Sequence, residues 1–444
     1  MFEVSSLSFS YSEYTEKKSV SIFSDLSFSL EDGEKLLILA PPESGKTTLS
    51  FLLSGIKLDG IETGSVRYNG ENVGLESVTL VPQNTNEYII QPRVEDEIAF
   101  PLENLGINEE EMKKRVSQSL SLWGLEKLKD ASPDTLSGGE KRRLLLATAL
   151  VSSPRVVIYD EAFDDLDYTW REKLKDRINE RKETSIVFAS RYIEYFSSLF
   201  DKIYIIENKK LSPWNGKREE IVRPIKGKSE NKAILSVSNL SFSYPESTRL
   251  PFSLAVKSFE LRSESVVSLL GLNGSGKSTF SHILCGLEEK INGEVKINNR
   301  EATPSLLRRS VGYIFQNPDL QIFLPTVRDE LMYSFSFLPL SKEEKNRRVE
   351  EACTLFSLNP ESIASLMGYG ERKRLQCAVY YTLARPFYII DELDSALTYS
   401  MCTSILNNLL RRGAGILLIT HDKALSNIVS DRSYIAENGV IHEE

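Results

Sequence analysis

Short apolar runs separated by polar loops predict the buried strands of an α/β fold. These runs lie at residues 35–39, 78–81, 156–159, 186–189, 266–270, 388–390 and 416–419. Residues 2–11 instead alternate apolar and polar positions, which also predicts a strand. Glu97–Lys129 has a mostly helical pattern with a break at 101–108, and it predicts an inserted helical lobe.

The same pattern occurs twice along the chain. Val4–Tyr11 recurs as Val237–Tyr244, and Ser44–Thr48 recurs as Ser275–Thr279, at nearly the same offset. A constant offset over the full length predicts two tandem copies of one domain. We place the copies at residues 1–211 and 233–444. The stretch between them, 212–232, is rich in proline, glycine and charge, and it predicts a linker.

Composition narrows the class of protein. The chain has 444 residues, 41% of them hydrophobic, and 63 acidic against 54 basic residues give a net charge of −9. That balance argues against a protein that coats nucleic acid. No apolar run approaches the roughly 18 residues that span a bilayer, and the N-terminus lacks a signal-peptide pattern. The four cysteines have no metal-like spacing, so we expect a cytosolic, reduced protein.

Two loops have the pattern of phosphate-binding loops. Gly271–Ser278 follows an apolar run, precedes a helical pattern, and matches Gly-x-x-x-x-Gly-Lys-Ser/Thr completely. Ala40–Thr47 matches it with Ala40 in place of the first glycine. In such loops the lysine, here Lys46 or Lys277, reaches the β- and γ-phosphates, and the next hydroxyl holds Mg²⁺.

Three further motifs point to phosphate chemistry. Asp160 and Asp391 each end an apolar run and are predicted to hold Mg²⁺, while the following Glu161 and Glu392 can act as bases toward an attacking water. Leu136–Glu140 reads Leu-Ser-Gly-Gly-Glu before a helical run, and exposed N–H groups at a helix start favour an anion.

Together these motifs resemble the nucleotide-binding domains of the ATP-binding cassette (ABC) family over nearly the whole chain. The resemblance implies two tandem P-loop α/β domains, each a mixed-sheet RecA-like core with an antiparallel β subdomain and an inserted helical subdomain. It implies an ATPase that uses ATP and Mg²⁺. It also implies that the two domains pair head to tail, so that each ATP lies between the phosphate loop of one domain and the signature of the other.

The family pattern assigns roles to residues of this chain. Tyr11 and Tyr244 would stack on adenine, Gln83 and Gln316 would be the Gln-loop residues that contact Mg²⁺, and His421 would be the switch histidine. The implied catalytic residues are Glu392, His421, Gln316 and Glu161. The implied metal ligands are Ser278, Gln316, Asp391, Thr47, Gln83 and Asp160. The implied nucleotide-binding residues are Tyr244, Gly271, Asn273, Gly274, Ser275, Gly276, Lys277, Ser278 and Thr279 with Ser137, Gly138, Gly139 and Glu140, and Tyr11, Ala40, Pro41, Pro42, Glu43, Ser44, Gly45, Lys46, Thr47, Thr48 and Gln83.

Departures from the family pattern all fall in one of the two implied sites. The second phosphate loop with the first signature retains every element. The first phosphate loop has Ala40, Glu43 in place of Gly274, and Arg191 where the other copy has His421. The signature it would meet reads Met367-Gly368-Tyr369-Gly370-Glu371, and Thr398 stands where the first copy has Asp167. We therefore expect one hydrolytic site and one site that binds ATP but turns over poorly.

Gln316–Phe323 and Thr326–Glu330 resemble the energy-coupling-factor (ECF) importer branch. That branch implies the energising subunit of a membrane importer, peripheral on the cytoplasmic side of the cell membrane. Its partners would be an integral-membrane coupling protein and a separate substrate-capture protein. A soluble tandem cassette acting on ribosomes or nucleic acid and an exporter ATPase remain alternatives, although the short linker and the lack of zinc motifs disfavour the first. The cargo, a vitamin, a metal ion or another solute, stays open.

Overall fold

The computed structural model describes residues 1–12, 19–74, 77–164, 166–180, 182–192, 196, 198–225, 227, 232–244, 252–288, 291–336 and 338–444. They form two compact units, Met1–Arg218 and Glu219–Glu444. The division falls inside the stretch predicted as a linker, of which residues 226 and 228–231 lie outside the described residues. Trp214 stacks on Tyr192 of the first unit at 4.6 Å between ring centroids, so the sequence-based linker begins with residues packed on that unit.

The described strands and helices of the first unit alternate in the order expected of an α/β domain. They are β1 (Phe2–Ser12), β2 (Ser19–Leu30), β3 (Lys35–Leu39), α1 (Lys46–Leu53), β4 (Gly60–Tyr68), β5 (Glu71–Asn72), β6 (Val78–Val81), α2 (Val94–Asn104), α3 (Glu109–Trp123), α4 (Gly138–Leu150), β7 (Val156–Asp160), α5 (Tyr168–Glu180), β8 (Thr184–Ala189), β9 (Lys202–Glu207) and β10 (Lys210–Pro213).

Two sheets organise the first unit. One is antiparallel, in the order β2-β1-β4-β5, and the other has the order β10-β9-β3-β8-β7-β6 with parallel pairing from β9 to β6. Side chains alternate between the two faces of β3, as the twofold period of a strand requires. Leu36 and Ile38 pack in the core shared with the antiparallel sheet, whereas Leu37 and Leu39 pack in the core shared with the helical lobe.

The helical lobe differs from the expected one at its break. The sequence predicts a break at 101–108, but α2 continues through Pro101 to Asn104. Proline cannot donate to the carbonyl four residues earlier. That carbonyl, of Glu97, instead accepts a hydrogen bond from the Thr148 hydroxyl at 3.3 Å. The tertiary contact therefore satisfies the group that proline leaves unpaired.

The second unit repeats this order. Its elements are β11 (Ile234–Ser243), β12 (Ser253–Arg262), β13 (Val266–Gly271), α6 (Lys277–Leu284), β14 (Asn292–Ile297), β15 (Arg300–Glu301), α7 (Pro304–Ser310), β16 (Val311–Ile314), α8 (Val327–Ser334), α9 (Lys342–Phe356), α10 (Tyr369–Leu383), β17 (Phe387–Asp391), α11 (Tyr399–Arg411), β18 (Gly415–Ile419), α12 (Lys423–Val429), β19 (Arg432–Glu437) and β20 (Val440–Glu443).

One continuous sheet of ten strands runs through the described part of the second unit, in the order β15-β14-β11-β12-β20-β19-β13-β18-β17-β16. β13, β16, β17 and β18 pair in parallel, so their carboxyl ends lie at one edge. Ligands of open α/β sheets bind at that edge. The mixed-sheet α/β fold that the resemblance implies is confirmed in both units. Among the described residues, no helix is both long and apolar enough to cross a membrane.

Candidate nucleotide sites

The second phosphate loop depends on glycine at two places. Gly271 ends β13 at φ 150°, and a Cβ there would lie 2.3 Å from the Ala436 carbonyl oxygen. Gly276 precedes α6 at φ 106°, and a Cβ there would lie 2.8 Å from the Phe252 ring. Only glycine combines these backbone angles with such close neighbours. The sequence motif is therefore a steric requirement of the turn from β13 into α6.

The polar groups of this loop suit a phosphate. Lys277 is buried, and its Nζ donates to the carbonyl oxygens of Gly271 at 2.8 Å and Leu272 at 2.9 Å. Within the described part of the chain, the buried Ser275 hydroxyl has no hydrogen-bond partner. A buried donor without a partner costs free energy that an anion in the loop would recover. These residues therefore fit the nucleotide that the sequence motif predicts.

The structure brings together the predicted catalytic residues of the second unit. The side-chain amide of Gln316 donates from Nε2 to Glu392 Oε2 at 2.9 Å, and His421 Nε2 lies 3.5 Å from Glu392 Oε1. Glu392 follows β17 at φ 48°, a left-handed conformation that costs an L-residue of order 1–3 kcal/mol. The sharp turn directs its carboxylate toward Gln316 and His421 and away from the strand. The arrangement suits a role of Glu392 as a base, with Gln316 and His421 holding its carboxylate in place.

Tyr313 is a site residue that the sequence analysis missed. It lies on β16, beside β17, and its hydroxyl donates to Asp391 Oδ2 at 3.0 Å. The signal was a polar hydroxyl at the third position before Gln316 in an otherwise apolar run. The structurally equivalent position of the first unit is Leu80, which offers no donor.

The first phosphate loop keeps this backbone turn but has other side chains in it. The Ala40 amide donates to the Ala189 carbonyl at 2.8 Å. Glu43 is exposed and left-handed at φ 66°, where its counterpart Gly274 has φ 77°. Both loops thus keep the same backbone turn, but the first requires it of a residue with a side chain. Gly45 keeps its role, since a Cβ there would lie 2.2 Å from the Ile22 side chain.

Lys46 pairs with the predicted base of its own unit. Its Nζ lies 2.5 Å from Glu161 Oε1 and 3.7 Å from Asp160 Oδ1, and all three side chains are buried. Burial raises the pKa of Glu161 to about 7, against the opposing charge of Lys46. Burial lowers the pKa of Lys46, but the charges of Glu161 and Asp160 outweigh it and the net shift is upward. The described side chain of Gln83 makes no contact with Glu161 like that of Gln316 with Glu392.

Strand register corrects the residue that replaces the switch histidine. Asp160 pairs with Phe188, and Asp391 pairs with Ile419. Two residues beyond Phe188 is Ser190, and two residues beyond Ile419 is His421. The expectation that Arg191 stands in the histidine position is therefore wrong by one residue. Ser190 also makes the equivalent contact, because its hydroxyl donates a hydrogen bond to Glu161 Oε1.

The two signature segments begin their helices differently. Ser137 caps α4 by accepting from the Glu140 amide, while its own amide and hydroxyl donate to the Glu140 carboxylate at 2.8 Å and 2.7 Å. In the second unit Gly368 has no side chain to do this. Its neighbour Tyr369 donates its hydroxyl to the Gln316 carbonyl oxygen at 3.0 Å. The Tyr369 hydroxyl is thus hydrogen-bonded to the Gln loop of its own unit.

The predicted adenine residues have the same setting in both units. The Tyr11 hydroxyl lies 3.1 Å from Thr48 Oγ1, and the Tyr244 hydroxyl lies 3.4 Å from Thr279 Oγ1. The Tyr11 ring is 37% exposed. Both tyrosine hydroxyls therefore lie beside the helix that follows a phosphate loop, and adenine stacking stays a prediction.

Each unit also presents an apolar side chain on a loop beside its Gln-loop residue. Ile90 is 64% exposed, and the structurally equivalent Phe323 is 65% exposed. A buried glutamate holds each loop. Glu97 accepts from the amides of Ile90 and Gln91 at 2.9 Å and 2.8 Å, and Glu330 accepts from the amides of Phe323 and Leu324 in the same way. Each loop is thus hydrogen-bonded to a buried carboxylate although its tip is apolar and exposed.

Comparison with known proteins places this geometry in a family. The sequence pattern described as ABC transporter matches residues 23–164 and 254–395. A putative ABC transporter ATP-binding protein of Bacillus cereus is 28% identical, over 94% of this chain and 86% of its own length. The putative HMP/thiamine import ATP-binding protein YkoD of Bacillus subtilis is also 28% identical, over 97% of this chain and 89% of its own length. A chain in a solved structure titled as a model of ribosome-bound archaeal Pelota and ABCE1 is 19% identical with a TM-score of 0.67, covering 98% of this chain and 78% of that chain. At that identity the likeness shows the fold alone.

Proposed function

Because this chain belongs to the ABC transporter family and is an ABC ATPase with two domains, we propose that it is the energising ATPase subunit of an ECF-type membrane importer. It would act on the cytoplasmic side of the cell membrane with an integral-membrane coupling protein and a separate substrate-capture protein. The name of the import protein YkoD supports import over export. The observation that carries the proposal is the pair of exposed apolar tips, Ile90 and Phe323, on loops that a buried glutamate holds by hydrogen bonds.

The chemistry we propose is ATP hydrolysis at the second phosphate loop. Lys277 would exchange its bonds to the loop carbonyls for bonds to phosphate, and Ser278, Gln316 and Asp391 would hold Mg²⁺. Mg²⁺ would neutralise charge that develops on the phosphate oxygens. Glu392 would accept the proton of the attacking water, held in position by Gln316 and His421.

At the first phosphate loop we propose nucleotide binding with little turnover. Lys46 is engaged with Glu161, and the histidine position holds Ser190. Serine cannot change protonation near pH 7 as histidine can. We also propose, on the resemblance alone, that each loop meets the signature of the other unit. The intact Ser137 signature would then serve the second loop, and Gly368 and Tyr369 the first.

Fractionation tests the membrane role. The tagged full chain is expected in the membrane fraction of its host, and the variant with both Ile90→Asp and Phe323→Asp is expected to leave that fraction. Binding of a fluorescent ATP analogue by the same variant should stay unchanged, which excludes misfolding. Recovery of the wild-type chain with ribosomes, or an unchanged membrane fraction for the variant, would contradict the proposal.

A further inference from the structure

The helix that follows the catalytic strand of the second unit is capped by a residue from outside the repeat. Glu219, in the predicted linker, accepts from the Tyr399 amide at 2.8 Å and from the Ser400 amide at 2.7 Å. These are the first two amides of α11. The first amides of a helix have no partner within the helix, and a carboxylate there also meets the positive end of the helix dipole.

The segment after Glu219 follows α11 to its end. The Val222 carbonyl accepts from the Thr403 hydroxyl at 3.1 Å, and the Ile225 amide donates to Asn407 Oδ1 at 2.6 Å. A Cβ on Gly227 would lie 2.4 Å from the Leu410 carbonyl oxygen. Contacts at 403, 407 and 410 recur at helical spacing, so Val222, Ile225 and Gly227 lie along one face of α11.

The first unit needs no such segment. Its equivalent helix, α5, is preceded by Asp167, whose carboxylate accepts from the Trp170 amide at 3.1 Å. The second unit has Thr398 at this position, and the Thr398 hydroxyl accepts from the Met401 amide at 3.4 Å, a long bond. Thr398 therefore keeps the bond to the third amide but has no carboxylate, and the carboxylate at the start of α11 comes from Glu219, which bonds the first two amides.

The start of α11 is bonded to the switch segment of the second site. The Tyr399 hydroxyl donates to Asp422 Oδ2 at 2.7 Å, and both side chains are buried. Asp422 follows His421, which lies beside Glu392. A shift of the first turn of α11 would therefore move Asp422 and, with it, the adjacent His421.

We propose that Glu219 is a positioning residue of the second site, acting through Tyr399 and Asp422 on His421, a proposal that rests on the function proposed above for Glu392. Without the Glu219 carboxylate the first turn of α11 frays, and Tyr399 no longer holds Asp422 in one place. The linker is then part of the machinery of the second site, in addition to joining the two domains.

Turnover kinetics of the full chain test this proposal. Glu219→Ala is expected to lower kcat about 10-fold, the equivalent of one charge-assisted hydrogen bond, with KM for ATP within twofold of wild type. Glu220→Ala, which removes the neighbouring exposed carboxylate, is the matched control and should leave kcat unchanged. Thr398→Asp in the Glu219→Ala background returns a carboxylate to the start of α11, at the position that Asp167 has before α5, and it is expected to restore kcat.

Amide exchange of the unliganded chain is the readout independent of turnover. Glu219→Ala should increase exchange at Tyr399 and Ser400 and also in the segment around His421. An unchanged kcat, a failure of Thr398→Asp to restore it, or increased exchange confined to α11 would overturn the proposal. Turnover of Glu392→Gln separates this outcome from a failure of the proposed function. If the proposed function is wrong, Glu392→Gln retains turnover.

Discussion

The two phosphate-loop lysines use their charge differently. Lys277 donates to carbonyl oxygens of its own loop, whereas Lys46 forms a buried ion pair with Glu161. The difference follows from what surrounds each glutamate. Glu392 has Gln316 and His421 as partners, whereas Glu161 has Ser190 and the lysine itself.

A small change at the histidine position therefore has a larger consequence. Once the imidazole is replaced by a hydroxyl, the lysine becomes the strongest donor within reach of Glu161. A buried carboxylate must be paired. Lys46, which is predicted to bind phosphate, therefore pairs with Glu161, which is predicted to activate water. Two loops of nearly the same sequence motif are thus in different electrostatic states.

The largest expected difference between the sites is in turnover. Glu392→Gln is expected to lower kcat by a factor on the order of 100 to 10,000, since it removes the proposed base. Glu161→Gln should leave most of the activity. Steady-state ATP hydrolysis by the full chain, with its membrane partner present, measures both. Equal losses for the two variants would mean that the two sites hydrolyse as equals.

The ion pair predicts the opposite order for binding. In a Lys277→Ala background, which leaves only the first loop, Glu161→Gln is expected to tighten binding of a fluorescent ATP analogue roughly 10-fold. The reason is that, without the Glu161 carboxylate, Lys46 does not have to break a charge-assisted hydrogen bond before it binds phosphate. The matched control is Glu392→Gln in a Lys46→Ala background, where Lys277 bonds only to carbonyls that phosphate can replace. Tighter binding in both backgrounds, or in neither, would show that the ion pair does not compete with ATP.

Tyr313 allows a test at Asp391, the aspartate that we propose as a ligand of Mg²⁺. Tyr313→Phe removes the hydroxyl that donates to Asp391, and the Mg²⁺ concentration for half-maximal nucleotide binding should rise several-fold, up to about 10-fold for one hydrogen bond to a charged group. Tyr388→Phe is the control, because it removes another buried hydroxyl bond, to the Tyr380 carbonyl, away from the metal ligands. A shift of the same size in both variants would assign the effect to packing.

Much of each site could be predicted from sequence because the motifs are local. Gly271 and Gly276 are required by a turn of a few residues, and such requirements are visible in any single sequence. The switch residue could also have been predicted from sequence. Ser190 and Arg191 are adjacent, and the repeat offset of 231 that relates Asp160 to Asp391 already indicates Ser190, as the pairing of Phe188 with Asp160 then shows.

Contacts between distant residues could not be predicted in this way. Tyr313 and Asp391 lie on neighbouring strands, and the sequence does not state which strands pair. Glu219 is a further example, because a charged residue in a polar linker is usually solvated. Its role depends on the start of α11 lying against it and on the loss of the Asp167 equivalent at Thr398.

The smallest expected effect concerns the backbone of the first loop. Glu43 holds a left-handed conformation that glycine adopts freely, at a cost of about 1 kcal/mol. Glu43→Gly should therefore raise the thermal midpoint of the first unit by about 2 °C, the shift expected for that free energy in a domain of this size. Glu43→Ala removes the charge but keeps the side-chain constraint, so it should leave the midpoint near wild type. If alanine stabilises as much as glycine, the charge of Glu43, and not the backbone, is what distinguishes this loop from its counterpart at Gly274.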